Sequence, residues 1–167
     1  MKGKAHRFGD DINTDYIIAG RYKFKTLDMD ELACHVMEDL DPDFCNRLVE
    51  GDFVVAGRNF GCGSSREQAP IALKHAGVAA VLADSFARIY FRNSINSGLP
   101  AIVCDTSGIE DGDLLEVDLE AGVARNVSKG QEIEYAPLPK VMLEILNEGG
   151  LIEYMKNHRG FSLEEKG

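Results

Sequence analysis

Apolar runs of strand length recur along the chain, separated by segments of helical periodicity. Phe53-Val54-Val55-Ala56, Val78 to Ala83 and Leu99 to Cys104 are almost uniformly apolar; one helical segment ends near Ala76 and a second runs from Phe86 to Asn96. Uniform strands, unlike alternating ones, are buried on both faces, so strand, helix, strand, helix, strand predicts a parallel sheet covered on both sides. Lys4 to Phe8 predicts a short strand ahead of them. Leu32, Ala33, Val36, Met37 and Leu40 recur at helical spacing and predict a scaffold helix from about Asp28 to Leu40. After Thr106 the texture changes: Asp113 to Leu119, Gly122 to Val127 and Glu132 to Tyr135 alternate over short spans with glycine turns, which predicts an antiparallel β segment. Leu138 to Leu146 predicts an amphipathic helix ended by Gly149-Gly150, Leu151 to Tyr154 begins a last short element, and Phe161 to Gly167 is expected to fray. The fold class is α/β, in one domain over residues 1–167 without repeats or a dividing linker.

The rest of the chain is organised around Gly57-Arg58-Asn59-Phe60-Gly61-Cys62-Gly63-Ser64-Ser65-Arg66-Glu67-Gln68, a glycine-rich turn between an apolar strand and a helix. Such a turn brings backbone N–H groups and two hydroxyls to a helix start, where the dipole favours an anion. Nucleotide fingerprints do not fit: a P-loop needs Gly-Lys followed by Ser or Thr, and a dinucleotide turn needs a glycine where Arg66 stands. Paired serines followed by arginine suit a carboxylate, which guanidinium grips through two parallel hydrogen bonds. A plain capping box, Ser64 at N-cap and Glu67 at N3, explains the same residues without a ligand. Pro70 weighs against that register, because its ring would clash inside the helix; a start near Glu67 or Gln68 leaves it in the tolerated first turn. Both readings stay open on the residues alone.

Composition narrows the partners. At 167 residues with 44% apolar content the chain fits one domain with a sizeable core. A formal charge of −10 repels phosphate backbones and anionic membranes, so neither nucleic acid nor a membrane surface is an expected partner. No apolar stretch reaches about 18 residues and no signal-like segment follows the polar start, which predicts a cytoplasmic protein. Cys34, Cys45, Cys62 and Cys104 form no C-x-x-C pair, and His6, His35, His75 and His158 are scattered, so no metal site is encoded by spacing. The cysteines read as reduced thiols, with Cys34, Cys45 and Cys104 in apolar settings as buried ones.

Gly61-Cys62-Gly63-Ser64-Ser65-Arg66-Glu67-Gln68, followed by Ser85-Phe86-Ala87-Arg88-Ile89 and Asn93, is similar to the small swivelling domain of the aconitase superfamily. More narrowly, a free-standing chain of this length resembles the small subunit of 3-isopropylmalate dehydratase and its relatives that act on homoaconitate or 2,3-dimethylmalate. The likeness extends from about Lys4 to about Tyr154. It implies a β/β/α swivelling-domain fold, with a parallel sheet core flanked by helices and a short antiparallel β segment. It implies a hydro-lyase that isomerises 2- and 3-isopropylmalate in leucine biosynthesis and is active only with a large subunit. That partner's cysteines would hold a [4Fe-4S] cluster; no cofactor is expected on this chain.

The resemblance also implies roles for particular residues. Ser64 stands where the family has its base, Ser65 and Arg66 where it grips a substrate carboxylate, and Gly61 and Gly63 allow close backbone approach. Thr14 and Asp15 resemble the family's Thr-Asp pair beside the active site, and Asn59 and Arg88 belong to the supporting motif. Gly20 to Thr26 corresponds to the substrate-recognition loop, where Lys23, Lys25 and Thr26 are expected to contact substrate. This loop departs from the family pattern: lysines stand where arginine is expected, and it is one residue longer. Read without the resemblance, it is a solvated surface loop. Asp10 and Asp11 read as turn formers. A dicarboxylate-binding module without catalysis, and a nucleotide-binding α/β domain, are the alternatives from other classes.

Overall fold

The computed structural model describes residues 1–23, 25 and 28–158, and of Lys23 the backbone alone. In chain order the elements are β1 (Lys2–Arg7), α1 (Thr14–Ile17), α2 (Gly20–Lys23), α3 (Met29–Ala33), α4 (Phe44–Arg47), β2 (Phe53–Ala56), α5 (Gln68–Ala76), β3 (Ala80–Ala83), α6 (Arg88–Asn96), β4 (Ala101–Val103), β5 (Leu114–Asp118), β6 (Val123–Asn126), β7 (Gln131–Glu134), α7 (Lys140–Asn147) and α8 (Leu151–His158). The strands form one sheet in the order β4-β3-β2-β1-β5-β6-β7. β1 to β4 pair in parallel, with Ala5 opposite Phe53, Phe53 opposite Ala80 and Val81 opposite Ala101. β1, β5, β6 and β7 pair antiparallel.

The uniform apolar strands have the reason that the sequence implies. Along β2, Val54 and Ala56 pack into one core with α1, α3 and α5, while Phe53 and Val55 pack into a second core on the opposite face; β3 divides likewise. Each large side chain so buried contributes about 1.5–3 kcal/mol. The second core is closed by strands: Leu115, Val117 and Ala124 of β5 and β6 share it with Ile102 and Cys104, and Tyr135, just past β7, packs against it. The antiparallel limb therefore curls back over the parallel one, and the helices gather on the other side. Burial pushes the Cys104 thiol up to about 12, and Asp84 and Asp105 add to the shift. A third cluster, Ile95, Ala101, Ile145 and Tyr154, binds α6, α7 and α8 to the β4 edge.

The expected helix over about 28–40 is not continuous. α3 ends at Ala33, and the following N–H groups of Cys34 and His35 bond three residues back. The Met37 N–H is captured by the Ile17 carbonyl at the end of α1 (2.9 Å), and Met37 takes φ 61° while fully buried. A left-handed methionine costs about 1–2 kcal/mol, which its burial offsets. Leu40, expected on the apolar face, is exposed, and so is Cys34, which lines a surface groove with Cys45 and His75. The expected frayed end, Phe161 to Gly167, lies outside the described residues. Among the described residues no helix is long and apolar enough to cross a membrane.

Candidate active site

Beyond the carboxyl ends of β1, β2 and β3 the backbone pairing continues irregularly, and this fixes three loops against one another. The Asp11 N–H bonds to Arg58 O and the Gly61 N–H to Ile12 O, and the Thr14 N–H returns to Cys62 O. On the other side the Phe60 N–H bonds to Ser85 O, and the Ala87 N–H to Phe60 O. Side chains reinforce the stitching. Asp10 accepts from the Arg58 N–H (2.8 Å), Asn59 donates to Asp11 (2.9 Å), and the Asn59 N–H donates to Ser85 Oγ (2.8 Å). The Arg58 N–H holds the Asp10 carboxyl below its usual range. Asp10 and Asp11 thus bond across to the organising loop instead of their own turn; turn-forming residues give no sequence signal of such a partner.

Two glycines are required where the loop is tightest. Gly61 has φ 81°, and a Cβ there would lie 2.1 Å from the Tyr90 ring; Gly63 has φ 92°, and a Cβ would lie 2.5 Å from Asn13 Oδ1. Asn13 in turn caps α1 by accepting from the Asp15 N–H. Gly61→Ala combines a disfavoured φ with a clash against a buried ring, and is expected to destabilise the chain by about 2–4 kcal/mol. Chemical denaturation of the variant beside the parent checks this; an unchanged midpoint would show that the loop yields without cost.

The loop ends in a helix that Ser64 does not cap. α5 begins at Gln68 behind Glu67, which makes no side-chain cap bond, and Pro70 falls in the first turn. The capping box is therefore not formed. Ser64 and Ser65 are exposed, and the N–H groups of Gly63, Ser64 and Ser65 have no acceptor within the described residues. Thr14 is buried beneath them: its Oγ1 donates to Ser64 O at 2.8 Å and lies 3.4 Å from Ser64 Oγ. Arg66 is folded back, donating to the Ile18 carbonyl (2.8 Å) and ion-paired with Asp15. A Cβ on Gly20 would come within 3.2 Å of the same guanidinium, so the loop after Gly20 starts against it.

These groups surround a cleft of about 210 Å³ lined by Thr14, Gly61, Gly63, Ser64, Ser65 and Arg66 on one side and by Ala87, Arg88, Ile89, Tyr90 and Asn93 of the α6 region on the other. Arg88, which the sequence reading gave a supporting role, lines this cleft. Asn59 does not line the cleft; its bonds tie the loop together. Lys25 is exposed and does not line it, with its ammonium 6.0 Å from the Tyr22 ring centroid. Thr26 and the Lys23 side chain lie outside what the structure describes. The loop's arginine is engaged elsewhere: Arg21 pairs with Glu38 and Asp39, while Tyr22 stacks on His35 at 4.0 Å and bonds to Glu38. Burial acts to raise the Glu38 carboxyl, but Tyr22, His35 and Arg21 outweigh it and hold it low.

The cysteines do not fit an iron-sulfur cluster. Cys34 is exposed, Cys45 and Cys62 are half-buried, Cys104 is buried, and no three potential ligands gather among the described residues. Burial, then Asp11, pushes the Cys62 thiol up, so it is no ready thiolate beside the cleft.

Fold and cleft together define a class, and comparison agrees with it: residues 41–106, which carry the organising loop and Arg88, match the Aconitase C-terminal domain. The 3-isopropylmalate dehydratase small subunit 2 of Archaeoglobus fulgidus is 60% identical over 158 residues, 95% of this chain and 96% of that one. The methanogen homoaconitase small subunit of Methanothermobacter thermautotrophicus is 53% identical over 154 residues, 92% of this chain and 89% of that one. The crystal structure of 3-isopropylmalate dehydratase from Methanocaldococcus jannaschii superposes with a TM-score of 0.91 at 49% identity, covering 95% of this chain and 94% of that one. The chain belongs to the family of 3-isopropylmalate dehydratase small subunits, within the aconitase superfamily of hydro-lyases.

Proposed function

We propose that this chain works in the cytoplasm as the small subunit of a two-subunit hydro-lyase that interconverts 2-isopropylmalate and 3-isopropylmalate in leucine biosynthesis. The observation that carries the reading is the Ser64 hydroxyl, exposed in the cleft on a backbone whose carbonyl Thr14 Oγ1 holds at 2.8 Å, and flanked by N–H groups without acceptors among the described residues. The reaction needs a base for a carbon-bound proton beside a carboxylate. Ser64 takes that role as an alkoxide. Serine ionises only where donors and positive charge stabilise the anion, which the loop N–H groups, the start of α5 and Arg66 supply. Ser65 and the N–H groups that Arg66 retains grip one carboxylate, and Asp15 and the Ile18 carbonyl keep that guanidinium in one orientation.

The departing hydroxide needs a Lewis acid. Among the described residues no three potential ligands gather, and the reading assigns it to a [4Fe-4S] cluster on a large subunit. The purified chain is then inactive alone and gains dehydratase activity on mixing with that subunit.

Substrate choice belongs to the loop after Gly20. With Arg21 committed to Glu38 and Asp39, the described part of the loop offers a flexible lysine charge at Lys25 and no free guanidinium, so a third carboxylate finds no bidentate partner there. A substrate with a small apolar substituent is favoured over a tricarboxylate. In the reconstituted complex kcat/KM is expected to be higher for 3-isopropylmalate than for homoaconitate, with 2,3-dimethylmalate overlapping because one or two methyl groups separate substrates by only about 1–3 kcal/mol. A clear preference for homoaconitate would move the assignment to the activity named for the Methanothermobacter relative.

A further inference from the structure

Two guanidinium groups reach the cleft, and their charges stand in different settings. Arg66 is 16% exposed in its side chain, paired with Asp15 and bonded to the Ile18 carbonyl, so much of its charge is balanced within the chain. Arg88 is exposed at the first position of α6, lines the opposite wall, and makes no ion pair or side-chain hydrogen bond with the described residues. None of the residues lining the cleft is acidic. Nor does folding account for a cation at this place. A positive charge in the first turn faces the positive end of the helix dipole, and α6 carries no acid there to balance it. In a chain of formal charge −10, this is a cation on the wall of the cleft that Ser64 and Ser65 also line, without a charge partner among the described residues.

We propose that Arg88 is a substrate-binding residue, holding the second carboxylate of the hydroxy-dicarboxylic acid across the cleft from Ser65 and Arg66. This rests on the reading of the cleft as a dicarboxylate site. Two carboxylates held from opposite walls would fix the carbon skeleton between them, with its acidic hydrogen facing Ser64. The planar fork of arginine suits that task, because it fixes the orientation of the carboxylate it holds.

The test compares Arg88→Gln, Arg88→Lys and Arg92→Gln in the complex with the large subunit. Arg92 is one turn along the same helix, exposed and outside the cleft, so its variant removes the same charge without the site. Arg88→Gln is expected to raise KM for 3-isopropylmalate, and Ki for malate as a competitor, on the order of 10²-fold, the loss of a charge-assisted hydrogen-bonded pair. Its melting temperature should not change, since Arg88 has no ion-pair or hydrogen-bond partner among the described residues. Arg88→Lys recovers part of the loss, and Arg92→Gln stays within about twofold of the parent. If the parent complex turns over 3-isopropylmalate and Ser64→Ala does not, but Arg88→Gln keeps KM and Ki, the Arg88 assignment is wrong while the reading of the cleft stands. If Arg88→Gln loses activity only in step with loss of the complex on gel filtration, the assignment is equally wrong. If the parent complex acts on no hydroxy-dicarboxylate, the reading of the cleft fails and the Arg88 assignment falls with it.

Discussion

Ser64→Ala is expected to lower turnover of the reconstituted complex by at least about 10²-fold, the usual scale for losing a general base, while folding and assembly stay intact. The structure separates this result from the competing explanation of the motif. Had Ser64 capped the helix, alanine would cost about 1 kcal/mol of stability and leave activity alone. α5 instead starts behind Glu67, and the closest side-chain partner of the Ser64 hydroxyl is Thr14 Oγ1 at 3.4 Å, a contact too long to matter for stability. Turnover, melting temperature and complex formation measured side by side decide the matter. Near-normal turnover would remove Ser64 from the chemistry.

The second large effect concerns stability and lies at the far end of β2. Asp52 is buried, accepts from His6 Nε2 at 2.8 Å, and also accepts from the Lys4 and Val49 N–H groups. His6 Nδ1 is buried without a partner among the described residues, so the tautomer with its proton on Nε2 is the economical one: it bonds to Asp52 and leaves a bare lone pair instead of an orphaned N–H. Burial acts to raise the Asp52 carboxyl, but His6 and the two N–H groups outweigh it and hold the carboxyl below its usual range. A carboxylate held lower in the folded state than in the unfolded one contributes stability above the unfolded value, about pH 4, and loses it as pH falls through the folded value. Asp52→Ala strands His6 Nε2–H and two backbone donors, each unsatisfied donor costing about 1–3 kcal/mol, and is expected to cost about 3–5 kcal/mol at neutral pH. The deficit relative to the parent should shrink in denaturation curves taken below about pH 4. A deficit under 1 kcal/mol, or one that does not depend on pH, would mean that the pair is not the anchor it resembles.

Different physics made some features legible in the sequence and hid others. The buried strands were readable because two covered faces demand apolar residues at every position of Phe53–Ala56 and Ala80–Ala83, whatever lies against them. The helix start at Gln68 was readable because Pro70 is tolerated only in a first turn, a local steric rule. The octapeptide carried the family, and its two glycines answer to close packing, Gly61 against Tyr90 and Gly63 against Asn13.

Sequence alone thus determined the parallel and antiparallel halves, the glycine-rich turn between β2 and α5, and the family. Tertiary structure decided what depends on partners distant along the chain. The Ile17 carbonyl takes the Met37 N–H and breaks a helix that periodicity supports, leaving Cys34 exposed. Asp10 and Asp11 pass over their own turn to hold Arg58 and Asn59, and two acids after α3 occupy Arg21. Of two arginines in the family motif, one is balanced by Asp15 and the other is left open to the cleft. Periodicity and turn chemistry report the environment a residue demands locally. The distribution of a fixed set of charges and hydrogen-bond donors among acceptors about 50 residues away is settled only when the sheet brings those loops to one end.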